Sequence, residues 1–479
     1  MDASTLMTLV TFGIYLVLLL GIGWWGDRRY GKTYEGFVTA DKSLGGWVAA
    51  ISSAASSESA WVMLGLSGLG YSKGVAAYWA ALGCTLGFVA TSLFVVVQLR
   101  RSSTGVQILT LGDYLEHLLG DRRHLIKIVS SLLIGFFMLV YVVAQFVGTG
   151  KQMAGMHLMG YHLGVIAGAV IIGIYVLIGG YAAVCWTDLV QGLLMAAVMV
   201  VFPVIAVAKA GGLGAVEETL AAAKLDTIWV GAEGPTWAAL GFALGQLGIG
   251  LGYPGMPHSI IRFVTVRDEK AARNAAIIGV GWGALVLFGA VTLGLVGRTL
   301  VPGLADPEHI LPAFTARFFH PVVGGLILAA VSAAIMSTAD SQLMMAATAV
   351  IHDLFYPLLK REPPKGRIMV VQIRVIIGVL ALTAMGLALV EPKVIYTFVL
   401  FAWGALGAAF TPVILLSLHW RRLSWQGALA AFILGPLTII VWKVSGLSTH
   451  LYELFPGAIV ATVGAVVVSR LAPARAPGS

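Results

Sequence analysis

Ser337, Thr338, Asp340 and Ser341 lie close together in one apolar stretch, Ala333-Ala334-Ile335-Met336-Ser337-Thr338-Ala339-Asp340-Ser341-Gln342. The i, i+1, i+4 spacing puts the three hydroxyls on one helix face, and Asp340, three residues beyond Ser337, on the same side. Hydroxyls and backbone carbonyls suit a hard cation such as Na+, which prefers oxygen ligands by the logic that governs Ca2+ and Mg2+. A carboxylate inside a membrane is costly and marks an ion pathway, a proton relay or a paired charge. Back-bonding of Ser and Thr to the i−4 carbonyl would explain the hydroxyls. It would not explain Asp340.

Two further stretches look able to supply bare carbonyls. Ser52, Ser53, Ser56, Ser57, Glu58 and Ser59 form a dense polar run inside an otherwise apolar segment, 46–70. Gly245, Gly248, Gly250, Gly252, Pro254, Gly255 and Pro257 crowd a second segment, 236–258. Proline removes a helical hydrogen bond and kinks or breaks the helix, and glycine favours opening the backbone. Non-helical backbone at membrane depth survives only where it lines protein or a wet cavity, so both segments are expected to face the interior. Asp188, in Cys185-Trp186-Thr187-Asp188, opens another span. An acid in a first turn suits the helix dipole, and a site role is the alternative.

The elements that hold these groups follow from composition. Of 479 residues, 59% are hydrophobic and 11% charged, against about 25% charged in an average soluble domain. Runs such as Val165–Ile178, Leu189–Ala208 and Ala275–Val296 carry no charge and do not alternate as barrel strands would. With about 20 residues needed per crossing, roughly thirteen spans fit the chain. The fold expected is an all-α integral membrane bundle. The first run lacks a preceding Lys or Arg and a following cleavage site, so it reads as a span and not a leader. The 59 glycines spread through the runs as residues that let helices approach closely. Cys84 and Cys185 sit in apolar segments and offer neither a disulfide framework nor a metal cluster.

The net charge of +8 does not signal nucleic acid. Most Lys and Arg residues, among them Arg28, Arg29, Lys42, Arg100, Arg101, Arg122, Arg123, Arg262, Arg267, Arg421 and Arg422, fall in alternate loops if the N-terminus faces outward. The positive-inside rule then places the C-terminus in the cytoplasm of a multi-pass protein of the cytoplasmic membrane. The lipid bilayer is its surrounding, and no obligate protein partner is evident.

The two polar or broken segments are the second and seventh spans, five apart. Spans 2–6 and 7–11 would then be copies of one unit, and inverted-repeat transporters place substrate and ion between broken helices at matching positions. A cation channel would need a continuous polar pore instead. A membrane enzyme would need a metal cluster or a Ser/His constellation, and His258, His352 and His419 lie apart near cytoplasmic ends. The chain is therefore expected not to be an enzyme.

At these residues the chain resembles the sodium/solute symporter family, most of all bacterial sodium/proline symporters. The resemblance runs through Lys42-Ser43-Leu44-Gly45, Ser59-Ala60-Trp61, Gly180-Tyr181, Trp186-Thr187-Asp188 with Gln191, and Gly250-Leu251-Gly252-Tyr253. It continues through Pro257-His258, Met336-Ser337-Thr338, Ala402-Trp403 to Pro412, Trp442-Lys443 and Tyr452-Glu453. It implies the five-plus-five inverted repeat of the leucine transporter, with one extra helix before and two after. The divisions expected are 1–45 for the N-terminal helix and cytoplasmic loop, 46–210 and 211–420 for the repeats, and 421–479 for two C-terminal helices and a tail.

The resemblance also implies a sodium site made of the carbonyls of Ala55, Glu58 and Ala334 with the hydroxyls of Ser337 and Thr338. A second sodium site of some members maps onto Asp188, Ser337, Asp340 and Ser341. Substrate contacts map onto Ser59, Tyr141, Tyr253 and Pro257, with aromatics suited to a small zwitterion. This chain departs at three pocket positions: Ser57 replaces an Asp, Glu58 an apolar residue and Ile249 a Trp, while Asp340 is an added acid. What is expected is sodium-coupled import of a small zwitterion, L-proline first, with another amino acid, a betaine or a carboxylate as alternatives. Asp340 and Asp188 would add a second cation or a proton, since two nearby carboxylates resist joint ionisation.

Overall fold

A computed structural model describes residues 3–30, 33–106, 108–230, 236–364, 366–390 and 395–472; the far end of the expected tail, 473–479, lies outside them. Helices dominate, and among the described residues the one bridge pairing outside them joins Leu44 to Val266. Among the described residues, ten helices are long and apolar enough to cross a membrane. Three expected spans are missing from that set for a physical reason: they do not form long, unbroken helices. The segments 46–70 and 236–258 are interrupted, and the apolar run Val165–Ile178 lies on a helix that kinks just after it, at Gly180. Gly180 has φ 65° and ψ 176°, a region where a Cβ would clash, so glycine is needed there.

Helix α1 spans Ala3–Tyr30. The first interrupted segment consists of α2 (Gly46–Ser57), a break, and a π-helical stretch Trp61–Leu66 that runs into α3 (Ser67–Lys73). Next come α4 (Tyr78–Thr91), α5 (Leu125–Gly155) and the kinked α6 (Tyr161–Lys209). The second interrupted segment consists of α7 (Trp237–Gly248), a tight 3₁₀ stretch Ile249–Gly255, and α8 (Pro257–Val264). Helices α9 (Glu269–Leu300), α10 (Pro321–Thr348), α11 (Arg367–Val390), α12 (Ile395–His419), α13 (Trp425–Val444) and α14 (Leu454–Leu471) complete the bundle.

Burial sorts the helices into a centre and a rim. In the most apolar stretch of the span that begins with α10, and in that of α12, 83% of residues are buried, against 28% in α1 and α11. The rim exposes large apolar side chains such as Val17, Val375, Leu382, Leu437 and Val463. Water would penalise that surface and lipid tails do not. The starts of several helices are capped by side chains: Asp268, Thr236 and Ser424 accept from Ala271, Ala239 and Gly427 backbone amides.

Small residues let α4 meet the second break. A Cβ on Gly87 would lie 2.5 Å from the Gly250 carbonyl oxygen, and one on Gly250 would lie 2.1 Å from that of Gly83. Backbone therefore touches backbone, as glycine-rich membrane packing allows. At one end of the bundle, Leu44 just before α2 and Thr265 to Arg267 just after α8 share two hydrogen bonds, of 3.3 and 3.0 Å. The two interrupted segments are thus tied together.

Candidate ion and solute site

The first break begins at Glu58, whose φ −99° and ψ 59° leave the helix. The serines before it help: Ser56 and Ser57 both donate to the Ser53 carbonyl, at 3.1 and 3.0 Å, and such local bonds compete with the helical ladder. Groups freed by the break find partners. Gln145 on α5 accepts from the Ala60 amide at 3.1 Å and donates to Ser59 Oγ at 3.3 Å. The Trp61 indole donates to the Ser57 carbonyl at 3.1 Å.

The carbonyls of Ala55 and Ser56 meet α10. Ser337 Oγ lies 3.2 Å from the Ala55 oxygen and 3.3 Å from the Ala334 oxygen, and Thr338 Oγ1 donates to the Ser56 oxygen at 2.9 Å. Of the expected sodium ligands, the structure draws Ala55, Ala334 and Ser337 together. It pairs Thr338 with the Ser56 carbonyl, next in the chain to that of Ala55; separately from the carbonyl expected as a ligand, the Glu58 side chain points toward the other break. Every member of this group is at most 2% exposed. Such a dry cluster of neutral oxygens can strip and hold a small hard cation.

The second break is built from Pro254 and Pro257. Met256 between them is extended, with φ −72° and ψ 112°, and Pro257 starts α8 where a missing amide costs nothing. The freed carbonyls of Ile249 and Leu251 accept from Trp403 Nε1 at 3.0 Å and Thr411 Oγ1 at 2.8 Å, both from α12. Tyr253 crosses to the first break and donates to Glu58 Oε1 at 2.7 Å. Its ring packs between Phe88 and Trp403, with centroids 4.5 and 4.7 Å away. Ser59 Oγ sits 3.3 Å from the Tyr141 hydroxyl. The structure thus gathers Glu58, Ser59, Tyr141 and Tyr253. The Ser57 hydroxyl turns back onto its own helix, Ile249 contributes its carbonyl to Trp403, and Pro257 shapes the start of α8.

The acids expected at a second ion site have a partner that hydropathy concealed. Arg262, counted above with the loop cations, is instead buried in α8 at 1% exposure. Its position four residues past His258 turns it inward, where Nη1 bonds the His258 carbonyl. Nη2 reaches Asp188 Oδ2 at 2.9 Å and Ser341 Oγ at 2.5 Å, and Nε reaches Ser52 Oγ at 2.6 Å. Ser52 in turn donates to Asp188 at 2.6 Å. The role left to Asp340 differs. Its Oδ1 lies 3.1 Å from Ser341 Oγ, and its Oδ2 is buried without a hydrogen-bond partner. Ser341 also reaches the Ser337 carbonyl at 2.8 Å, which links this group to the oxygen cluster.

Two charged clusters flank the centre. At the Leu44–Val266 end, Lys127 lies 2.5 Å from Asp113 and 3.7 Å from Asp353, with His352 2.8 Å from Asp353. Asp113, His352 and Asp353 have a metal-like spacing, but the Lys127 ammonium already supplies their positive charge. Burial opposes ionisation of Asp113, yet His352 and Lys127 hold it below the ordinary carboxylate value. At the opposite end, Lys151 bridges Asp306 at 2.8 Å and Glu308 at 2.5 Å. Glu308 also accepts the amides of Ile395 and Tyr396 at 3.1 and 2.9 Å, so it caps α12. Beside Tyr396 lies a cavity of about 180 Å³, lined among others by Gln246, Lys443 and Glu453.

Sequence reasoning missed Arg262, Gln145, Phe88 and Trp403 as site residues. A polar Gln145 inside an apolar run was a usable signal; for Phe88 only the three-dimensional approach of helices reveals the role.

The model of the sodium:solute symporter family matches residues 37–435. The osmoregulated proline transporter OpuE of Bacillus subtilis (strain 168) is 33% identical over 98% of this chain and 96% of its own. A sodium/proline symporter of Staphylococcus aureus (strain USA300) is 34% identical over 98% and 94%. Among solved structures, an outward-open, substrate-bound Na+-coupled sialic acid symporter superposes with a TM-score of 0.82 at 19% identity, covering 99% of each chain. MhsT in complex with L-phenylalanine gives 0.54 at 15% identity, over 88% of this chain and 98% of that one. These likenesses identify the leucine-transporter-like fold.

Proposed function

Because the chain belongs to the sodium:solute symporter family, and so is a membrane transporter coupled to sodium and not an enzyme, we propose that it imports L-proline with Na+ across the cytoplasmic membrane. One observation carries the site assignment. Ser337 lies within hydrogen-bond reach of both the Ala55 and Ala334 carbonyls, one helix turn from a broken helix whose next residues face the solute groups. Sodium at Ala55, Ala334, Ser337 and Thr338, with Ser56 or Glu58 contributing a further carbonyl, would clamp α2 to α10. The solute would lie against Ser59, Tyr141, Tyr253 and Glu58. The names of the curated relatives support proline.

Alternating access follows from the two-part design, with the segments 46–210 and 211–420 as the inverted repeats, the N-terminus outside and the C-terminus inside. Ion binding stabilises the first break and completes the solute pocket, and the tied pair of interrupted segments then rocks against the rest. One positive charge entering down the membrane potential contributes about 2.3 kcal/mol per 100 mV, enough for marked accumulation of a neutral zwitterion.

A second reading concerns protons. Asp188 is neutralised by Arg262, but Asp340 has one oxygen without a partner, and an isolated buried carboxylate is expensive. A proton or a second cation on Asp340 would remove that cost. Radiolabelled L-proline uptake into proteoliposomes, with and without an inward sodium gradient and against competing amino acids, betaine and carboxylates, tests the main reading. Saturable, sodium-dependent uptake supports it; uptake of proline indifferent to sodium, or none, defeats it.

A further inference from the structure

Glu58 joins the two interrupted segments at their breaks. It ends α2 at 0% exposure, and Tyr253 of the other break binds its Oε1 at 2.7 Å. Its second oxygen, Oε2, is buried and has no hydrogen-bond partner. Among the described residues, no ion pair reaches Glu58. An ionised carboxylate half-satisfied in a dry site is held at a large cost unless a donor or a counter-charge arrives.

The surroundings select what can arrive. The oxygen cluster that suits sodium lies toward α10, around Ser337 and Thr338, whereas the Glu58 side chain is directed to Tyr253. Around Tyr253 stand the rings of Phe88 and Trp403, and the next residue, Ser59, faces the Tyr141 hydroxyl. An acid beside aromatic faces is a setting for a positively charged nitrogen, which gains from both the carboxylate and the ring quadrupoles.

Resting on the reading of this centre as the solute site, we infer that Glu58 Oε2 accepts a hydrogen bond from a protonated, N–H-bearing nitrogen of the solute. The transported class is then amino and imino compounds. Nitrogen-free carboxylates, neutral sugars and polyols are excluded, and quaternary ammonium compounds are disfavoured because they have no N–H.

The experiment uses the full-length protein in proteoliposomes and labelled L-proline as the probe. Cyclopentanecarboxylate, which keeps the ring and the carboxylate but lacks the nitrogen, is expected not to compete at hundred-fold excess. Glu58→Gln is expected to raise the KM for proline by about 30-fold or more, the range seen when a buried charge partner is removed, while the sodium concentration for half-maximal uptake moves little. Tyr253→Phe leaves Oε2 in place and is expected to change KM only several-fold, which keeps the test sharp if Glu58→Gln folds poorly. Competition by cyclopentanecarboxylate equal to that of unlabelled proline would overturn the inference. So would a Glu58→Gln protein with normal proline KM and weakened sodium dependence, since Glu58 would then serve the ion. If the wild type carries no proline, the proline reading fails by itself; labelled alanine and labelled glycine betaine then replace it as probes. Uptake of betaine without alanine overturns the inference, and the reverse supports it.

Discussion

Arg262 Nη2 and Asp188 Oδ2 stand 2.9 Å apart in the interior, with side-chain exposures of 1% and 0%. Removing one partner of such a pair strands the other charge and typically costs about 3–5 kcal/mol, whereas removing both can be close to neutral. Arg262→Gln and Asp188→Asn are each expected to lower the melting temperature in detergent by many degrees and to abolish uptake. The double variant is expected to recover much of the thermal stability. Single variants that melt like the parent would show that the pair is not the main partner of either group.

Sodium should report on the oxygen cluster. Ser337→Ala removes the hydroxyl that meets both the Ala55 and Ala334 carbonyls, and Thr338→Ala removes the one that meets Ser56. Each variant would lose a proposed ion ligand and leave the proposed solute contacts in place. The expected outcome is a rise of roughly tenfold or more in the sodium concentration for half-maximal uptake, equivalent to about 1.4 kcal/mol, with a smaller effect on solute KM at saturating sodium. Initial uptake rates over a sodium series decide it; an unchanged sodium curve in both variants would remove these residues from the ion site.

Asp340 separates one-ion from two-ion coupling. With Arg262 matched to Asp188, Asp340 is left with a buried oxygen lacking a partner. Asp340→Asn is expected to preserve folding, because an amide removes the cost of that charge, and to reduce by one the positive charges moved per solute. Reversal-potential measurements in proteoliposomes give that number directly. An unchanged ratio in an active Asp340→Asn protein would end the second reading.

The legible part of this molecule was whatever a single helix carries on its own. Helix breaks announced themselves through Pro254, Pro257 and the serine run, and the Ser337/Thr338 face followed from spacing alone. The family resemblance, in turn, supplied Ala55 and Tyr253. Arg262 was hidden because hydropathy sees a cation near a span end and assigns it to a loop; only the turn of α8 carries its guanidinium onto Asp188. The pairing of Thr338 with the Ser56 carbonyl was equally hidden, since the depth of α10 relative to the break is set by packing between helices distant in sequence. Glu58 was visible as a departure from proline symporters, but its direction toward Tyr253 needed both breaks in place.

The Lys151 cluster is expected to latch the end proposed to face outward. Lys151 on α5 holds Asp306 and Glu308, and Glu308 holds the first amides of α12; opening at that end must part them. Burial raises the cost of charging Asp306, but the hydrogen bond and charge of Lys151 outweigh it and leave its carboxyl below the ordinary value. A depressed carboxyl contributes its stabilisation above its unfolded value, about 3.9 for Asp, and loses it only as pH falls through the lower folded value. The Asp306 arm of the latch should therefore hold constant between pH 8 and 5 and loosen only in stronger acid. Gln246→Cys, in the adjoining cavity, offers a reporter, since the native Cys84 and Cys185 are both buried. Labelling by an impermeant maleimide is expected to be several-fold faster with Lys151→Met at neutral pH. Correcting for the pH dependence of thiolate formation, the otherwise wild-type reporter should label at a constant rate from pH 8 to 5. A steep rise in the corrected rate across that interval, or no acceleration in Lys151→Met, would show that some other contact keeps this end shut.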